Sequence, residues 1–174
     1  MTDLRYPTGQ FVPPDQPTSE SRARAIDVIA ETPEQLRAAV QGLDEVKLDT
    51  PYRDGGWTLR QVVHHVPDSH LNAYVRLKLA LTEPAPVIKP YDEAAWATLV
   101  DTTAVPIDVS LNLLDALHRR WVALLRGMRD DDFRREYVHP ETGRHQLDHL
   151  VALYAWHGPH HIAHITTTRR RMGW

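Results

Sequence analysis

Four long stretches of this chain repeat apolar residues at the spacing of an α-helix, and this periodicity constrains the fold more than any other feature. The stretches run from Ser19 to about Leu43, from Leu59 to about Thr82, from Asp108 to Met128 and from Leu147 to about Arg171. In each of them apolar side chains recur every three to four residues, so that one face of the helix can be buried. The pattern predicts an all-α fold, a four-helix bundle.

The segments between these stretches predict connections rather than further long helices. Residues 1–17 carry four prolines, which favour extended backbone, and we expect an arm packed on a single domain that spans residues 1–174. Residues 83–90 are a proline-rich connector, followed by a short helix over residues 92–100. Residues 133–145 predict either a small hairpin or a plain loop.

Composition excludes several classes of function. The 174 residues include no cysteine, which excludes disulfides, thiolate metal sites and cysteine nucleophiles. A net charge of −3, with both signs interspersed, makes nucleic acid an unexpected partner. No run of about 18 apolar residues and no signal peptide is apparent, so we expect a cytoplasmic protein without membrane contact. Eleven histidines are the compositional oddity.

The last predicted helix concentrates four histidines on one stripe. His157, His160, His161 and His164 form two pairs at i,i+4 spacing, and either pair can bring two imidazole nitrogens to one metal ion. Zinc, nickel, copper and iron all accept such ligands. The alternative is a polar stripe of surface or half-buried histidines. Spacing alone does not choose between the two pairs or between these interpretations.

The second predicted helix supplies the third ligand candidate. Its polar side carries His65, Asp68, Asn72 and Arg76, whereas His64 lies away from that cluster, so His65 is the better candidate. Asp68 is a candidate to orient an imidazole by accepting its N–H, with an exposed helix acid as the alternative. Asn72 and Arg76 are candidates to line the cleft, where Arg76 would bind a substrate carboxylate or simply form a salt bridge.

Other residues carry weaker predictions. His160 and His164 are candidate catalytic residues for proton transfer or substrate binding, or else packing groups. Proline interrupts both histidine-bearing helices, at Pro67 and at Pro159, and predicts a bend at each. Four tryptophans at helix starts and on apolar stripes are predicted to be core residues; they are Trp57, Trp96, Trp121 and Trp156.

Three strings give the chain a specific resemblance to a known family. PYRDGGWTLRQVVHH begins at Pro51, KPYDEAAW at Lys89 and WHGPHHIAHITTTRRRMGW at Trp156, with YPTGQF near the start. Together they resemble the YfiT family of the DinB-like superfamily over nearly the whole chain. The resemblance implies an up-down-down-up four-helix bundle, a homodimer and a metal site with three histidines.

The resemblance also selects among the histidines. The family's first ligand follows the tryptophan that opens the second helix by eight residues, which corresponds to His65. Its other two form the H-x-x-x-H pair that corresponds to His157 and His161. Pro159 stands where the family commonly has a basic residue, and a bend of the helix there would shift the metal affinity. The implied cofactor is one divalent metal ion per chain, Zn or Ni.

Three functions are compatible with this site. Three protein ligands leave a coordination position open, at which a metal ion lowers the pKa of water and supports hydrolysis of a small molecule. The family is named for metal-dependent hydrolases and is also similar to S-transferases, in which a low-molecular-weight thiol such as bacillithiol would be ionised instead. The chain lacks the H-E-x-x-H motif of zinc proteases, so a peptidase is not expected. The third possibility is a dimer that binds metal or ligand without catalysis.

Overall fold

The structure is a computed structural model that describes residues 3–174. Over this range the chain forms eight helices and one two-stranded hairpin, in the order α1 (Ser19–Val40), α2 (Glu45–Leu48), α3 (Leu59–Thr82), α4 (Glu93–Trp96), α5 (Val100–Ala104), α6 (Ile107–Arg126), α7 (Asp130–Phe133), β1 (Glu136–His139), β2 (Gly143–Gln146) and α8 (Leu147–Met172). The four long helices are the four predicted ones.

Local sequence explains where these helices begin and end. The hydroxyl of Thr58 accepts from the backbone N–H of Gln61, and the Gln61 side chain accepts from the N–H of Thr58, which completes the predicted capping box of α3. α1 ends at Val40, before the predicted Leu43, because the chain turns at Gly42 with a φ of 78°. α8 ends in three arginines and a left-handed Gly173.

The connections follow the predictions with one refinement. The short helix predicted over residues 92–100 is only four residues long, α4, and a second short helix, α5, begins at Val100 where the prediction ended. The hairpin interpretation of residues 133–145 is confirmed, since β1 pairs antiparallel with β2 from Glu136–Gln146 to His139–Gly143. Gly143 takes a φ of 89°, a turn conformation that glycine adopts without strain.

Side-chain contacts at the helix ends give the direction of each long helix. Arg22, near the start of α1, pairs with Asp148 at the start of α8, and Arg169 near the end of α8 donates to the carbonyl of Ala39. Helices α1 and α8 are therefore parallel. α6 runs against α1, because Arg126 at its end pairs with Asp27 early in α1.

The direction of α3 completes the topology. His64 contacts Ser110 and, further along both helices, His70 contacts His118, so α3 and α6 are parallel. α3 is consequently antiparallel to α1 and α8. The bundle runs up-down-down-up, as the family resemblance implied, and the parallel pair α3 and α6 requires the long crossover through α4 and α5.

The core consists of two apolar clusters with histidines between them. One cluster contains Leu77, Trp121 and Leu150, and the other contains Leu36, Val66 and Ile165. Along α3, α6 and α8, the buried histidines lie where one cluster gives way to the other. None of the helices formed by residues 3–174 is long and apolar enough to cross a membrane.

The N-terminal arm packs along the face of α8 that carries the histidines. From residue 3 to residue 17 it has turns but no helix or strand, while residues 1 and 2 lie outside the described part of the chain. The backbone carbonyl of Gly9 accepts from the indole N–H of Trp156, and that of Arg5 accepts from the ring of His164. The arm thus forms part of the wall around the histidines.

Candidate metal centre

The structure brings the three predicted ligands together. One ring nitrogen each of His65, His157 and His161 lies within 4.8 Å of the other two. The ring centroids of His157 and His161 are 4.4 Å apart, and that of His65 lies 4.7 Å from His161. α3 supplies the first ring and one turn of α8 supplies the other two. His64 is directed elsewhere, with its Nδ1 against the hydroxyl of Ser110 at 2.7 Å.

Burial keeps the three rings neutral. Removal from water lowers the pKa of His65 to about 4, and it lowers the pKa values of His157 and His161 well below the ordinary value for histidine. Neutral imidazole is the form that binds metal ions. The Nδ1 atom of His161 is buried with no hydrogen-bond partner among the described residues. The donor set and this unpartnered atom fit a divalent ion.

Close packing of α1 against α8 fixes the position of the two ligand candidates on α8. A Cβ on Gly158, the residue after His157, would lie 2.7 Å from the side chain of the fully buried Thr32. Only glycine allows the helices to approach this closely.

Both α3 and α8 continue as helices through Pro67 and Pro159. The bends expected at the two prolines stay predictions.

A cavity of about 490 Å³ opens beside the three histidines. Its walls come from the N-terminal arm, the segment before α3, the start of α4 and the histidine face of α8. The lining residues are Arg5, Tyr6, Tyr52, Arg53, Gly55, Gly56, Trp57, Glu93, Trp156, His157, His160, His161 and His164. The cavity is large enough for a small organic molecule.

Two further histidines predicted as catalytic lie in this cavity. His160 stacks on Trp156 with ring centroids 4.3 Å apart, and its Nδ1 lies 3.4 Å from the hydroxyl of Thr8. His164 stacks on Tyr52, and its Nε2 donates to the carbonyl of Arg5 at 3.2 Å. Burial lowers the pKa of His160 to about 4, so this ring is neutral at pH 7. One of its nitrogens then has a free lone pair and can accept a proton.

The other candidates on α3 lie outside the cavity. In the part of the chain from residue 3 onward, the Asp68 carboxylate makes no hydrogen bond to a histidine ring; burial raises its pKa to about 6. The amide of Asn72 donates to the carbonyl of Asp68 on its own helix, and Arg76 donates to the carbonyl of Lys89. The polar side of α3 therefore contacts the connector more than the cleft.

The tryptophan prediction was correct for Trp121, correct in part for Trp57 and wrong for Trp96 and Trp156. Trp121 is fully buried in the core. Trp57 packs against one of the apolar clusters and also lines the cavity, with its ring 4.8 Å from that of His65, whereas Trp156 lines the cavity. Trp96 is 39% exposed and packs on Tyr91.

Sequence reasoning also missed a row of histidines behind the site. Nδ1 of His157 lies 3.1 Å from Nε2 of His70, and Nδ1 of His70 lies 2.8 Å from Nε2 of His118. Nδ1 of His118 donates to the carbonyl of Ile29 at 2.7 Å. A signal was present, because His70 and His118 occupy positions of the apolar stripes of α3 and α6, where a polar side chain needs a partner.

The charged residues of the cavity were missed as well. Glu93 is the carboxylate among the lining residues, and burial raises its pKa above the ordinary value. Arg5 and Arg53 line the same cavity, and the Nε of Arg53 is buried with no partner among the described residues. Loop residues of this kind follow no helical periodicity, so the pattern that identified the ligands could not place them.

Comparisons with known proteins agree with the resemblance. A family model described as the DinB superfamily matches residues 28–165. Relatives from Bacillus cereus strain B4264 and from Bacillus thuringiensis subsp. konkukian, each bearing the name "Putative metal-dependent hydrolase", are 53% identical over 174 residues, which is 100% of this chain and 100% of theirs.

Solved structures give the same result for the fold. YfiT from Bacillus subtilis, described as a probable metal-dependent hydrolase with an unusual four-helix bundle topology, superposes with a TM-score of 0.96 at 50% identity and covers 98% of each chain. The four-helix bundle protein TT2238 matches with a TM-score of 0.55 at 19% identity over 81% of this chain and 94% of its own. The second match concerns the fold alone.

Proposed function

Because this chain belongs to the DinB superfamily and is similar to YfiT over almost its whole length, we propose that it is an enzyme that binds one divalent metal ion, Zn²⁺ or Ni²⁺, through His65, His157 and His161 and hydrolyses a small molecule. The observation that carries this proposal is the trio of neutral imidazoles at one side of a cavity. An ion with three such ligands keeps a position open, where it lowers the pKa of water and polarises a carbonyl.

The protein's own groups have proposed roles around that position. Glu93 and the neutral ring of His160 are proton acceptors at the cavity wall. The ring of His164 is held in place by the N-terminal arm, because its Nε2 donates to the carbonyl of Arg5. Arg53, whose buried Nε has no partner among the described residues, favours a substrate with an anionic group, a role that the sequence had suggested for Arg76. The aromatic rings of Tyr52, Trp57 and Trp156 favour an apolar body on that substrate.

A second candidate is thiol S-transfer. Its support is that the open position on an ion held by three histidines would bind and ionise a thiol in the same way as water. In this reaction the thiol of a low-molecular-weight cosubstrate such as bacillithiol loses its proton, its sulfur attacks an electrophilic carbon, and the leaving group departs with the bonding pair. A protein that binds metal and catalyses nothing is the third outcome to be tested.

Metal content is the first test of the site. We expect close to one metal ion per chain by elemental mass spectrometry of untagged protein, and loss of that ion in both His65→Ala and His157→Ala. His145→Ala is the matched control, because its ring lies on β2 outside the site. A wild type that carries no metal and resists reloading with Zn²⁺ or Ni²⁺ would overturn the proposal.

Turnover separates the three functions. Ester, amide and lactone substrates with carboxylate groups are offered to the metal-loaded protein with and without a panel of thiols, beside an alkylating acceptor. Turnover without thiol supports hydrolysis, whereas strict dependence on a thiol supports transfer. Ligand-dependent stabilisation without product from any substrate would leave a binding protein.

The homodimer implied by the family resemblance also stays a proposal. Its support is apolar exposure on neighbouring helices. Leu71 and Val75 are one turn apart on α3, Val109 and Leu113 are one turn apart on α6, and all four are at least 40% exposed. Exposed apolar side chains grouped in this way are typical of association surfaces.

A further inference from the structure

A continuous row of hydrogen bonds connects the candidate metal centre to the backbone of α1. It runs from His157 on α8 to His70 on α3, then to His118 on α6 and finally to the carbonyl of Ile29. His70 is fully buried and His118 is 2% exposed. The row therefore joins all four long helices in a region that excludes water.

The carbonyl at one end gives the row a direction. A carbonyl oxygen can only accept, so Nδ1 of His118 must carry a proton. In a neutral ring the other nitrogen, Nε2, is then an acceptor, and it faces Nδ1 of His70 at 2.8 Å. His70 must donate there. By the same step its Nε2 accepts from Nδ1 of His157 at 3.1 Å.

The donor and acceptor order of this row also fixes the tautomer of His157, at the end next to the metal centre. With its proton on Nδ1, His157 has its lone pair on Nε2, which lies on the side of the ring away from His70. The hydroxyl of Ser69 lies 3.4 Å from that nitrogen. Ser69 also lies 3.2 Å from the hydroxyl of Tyr154, so it keeps a partner if Nε2 takes another ligand.

We propose that His70 and His118 are positioning residues that hold His157 as its Nδ1–H tautomer and so present the Nε2 lone pair to the metal ion. This inference rests on the metal site of the proposed function. It adds two residues that bind no metal themselves. It also distinguishes the three ligands, because among them, within residues 3–174, only His157 makes a hydrogen bond to a histidine of the core.

Buried neighbours of a metal-binding histidine change both geometry and affinity. A ring that is free to exchange tautomers presents its lone pair only part of the time, and the partner that fixes the tautomer also limits rotation of the ring. Loss of such a partner typically weakens metal binding by about 10- to 100-fold. A purely structural pair of histidines would affect stability without this effect on metal affinity.

Nuclear magnetic resonance of histidine ring nitrogens tests the tautomers directly. In the full-length, metal-free protein at pH 7.5, with ¹⁵N-labelled histidine, we expect His157, His70 and His118 all to be Nδ1–H tautomers. Each ring is assigned from the spectrum of a variant that lacks it. An Nε2–H tautomer at His157 in the wild type would overturn the inference, and this result does not require that any metal binds.

Zinc affinity tests the consequence. Competition with a chromophoric chelator gives the Kd of the wild type, of His70→Leu and of His70→Gln, whose amide oxygen can still accept from His157. We expect about 10- to 100-fold weaker Zn²⁺ binding for His70→Leu and recovery of most of that loss in His70→Gln. His118→Leu should give a smaller loss, because His70 remains present but is no longer oriented.

A control separates orientation from packing. Leu125 lies on the same helix as His118 and in the apolar cluster that contains Trp121, so Leu125→Ala should lower stability without changing zinc affinity or tautomers. Zinc binding by His70→Leu that equals the wild type would overturn the inference. A wild type that binds no Zn²⁺ would overturn the proposed function instead. The tautomer of His157 in the metal-free protein would still decide whether His70 and His118 orient its ring.

Discussion

Histidine is both a donor and an acceptor when it is neutral, and its surroundings decide which role it takes. In this protein His65, His157 and His161 have ring nitrogens that converge at one point. His70 and His118 have partners on both ring nitrogens and do not line the cavity beside the metal centre. The same side chain therefore serves as a candidate ligand in one place and as a buried connector a few ångströms away.

Glu93 is the first residue to test in the chemistry. Glu93→Gln keeps the size of the side chain but removes its ability to accept a proton. If Glu93 acts as a base, we expect kcat to fall by about 100-fold or more with little change in metal content. Steady-state kinetics on the best substrate from the turnover screen, with metal analysis of the same samples, measures both.

Glu136→Gln is a suitable control for that experiment, because Glu136 pairs with Arg144 on the hairpin, away from the cavity. A Glu93→Gln protein with unchanged kcat would remove Glu93 from the mechanism and leave the histidines as the only proton acceptors proposed.

Among individual residues, the sequence predicted the histidines that lie close together on one helix and missed residues that meet only in the folded structure. His157 and His161 share a helix at a spacing that is visible in one dimension, and the family resemblance selected them with His65. The contact of His70 with His118 depends on the register of α3 against α6, which two separate helical patterns do not contain. Glu93 and Arg53 reach the cavity only through the path of the connections.

The elements are held in register by a few tight contacts. α1 and α8 approach closely at Gly158, which lies between the ligand His157 and the rest of the turn that carries His161. A small movement of α8 at this point displaces two ligands together. The element boundaries themselves were predictable, since capping residues, prolines and glycines mark them locally.

Gly158→Ala tests this contact, because two effects on stability oppose one another. Alanine favours a helix interior over glycine by about 1 kcal/mol, whereas a clash with buried Thr32 at 2.7 Å costs about 1–3 kcal/mol. We expect net destabilisation and weaker Zn²⁺ binding. Urea denaturation of the metal-free protein and the chelator competition measure the two effects.

The double variant Thr32→Ala with Gly158→Ala supplies the check. Removal of the Thr32 methyl and hydroxyl relieves the contact, so the double variant should bind Zn²⁺ more tightly than Gly158→Ala alone. A Gly158→Ala protein that is as stable as the wild type and binds zinc equally well would show that the helices can separate without cost.

The whole molecule is arranged around its polar layer. The buried histidines lie between two apolar clusters, which exclude water from His70 and His118. The up-down-down-up topology followed from the family resemblance, because periodicity predicts four helices but not their directions. The contact of two tryptophans with the cavity could not be predicted without the path of the connecting segments and the N-terminal arm.

The metal-free protein should lose stability as the pH falls. Burial lowers the pKa of His118 from 6.5 to about 4, so between these values the unfolded chain takes up a proton that the folded chain does not. This group alone contributes roughly 3 kcal/mol of stability at pH 7 that is lost as the pH falls from 6.5 to 4. Urea denaturation across this range measures the slope.

Two substitutions at adjacent positions distinguish titration of His118 from a general loss of packing. His118→Asn should make the dependence of unfolding free energy on pH shallower, because the group that titrates is gone. Leu117→Ala should lower the free energy of unfolding by a similar amount at every pH. Equal slopes for His118→Asn and the wild type would contradict the assignment of the acid sensitivity to this ring.

Dimerisation is tested by charge on the exposed apolar face. We expect a wild-type dimer in analytical ultracentrifugation, shifted toward monomer by Leu71→Glu and by Leu113→Glu, since a buried unpaired carboxylate is costly at an interface. Val46→Glu is the control, because Val46 is 80% exposed and lies on α2. A wild type that is monomeric throughout the concentration range would remove the homodimer from the proposal.

The placement of two ligands on α8 has a consequence for biosynthesis. α8 leaves the ribosome after the other three long helices, so Ile29, His70 and His118 are all synthesised before it. The first three long helices can therefore assemble with the acceptor nitrogen of His70 already directed at the place that His157 will occupy. A chain truncated before residue 157 would have one candidate ligand of three, so the proposed metal site can form only after α8 has been synthesised.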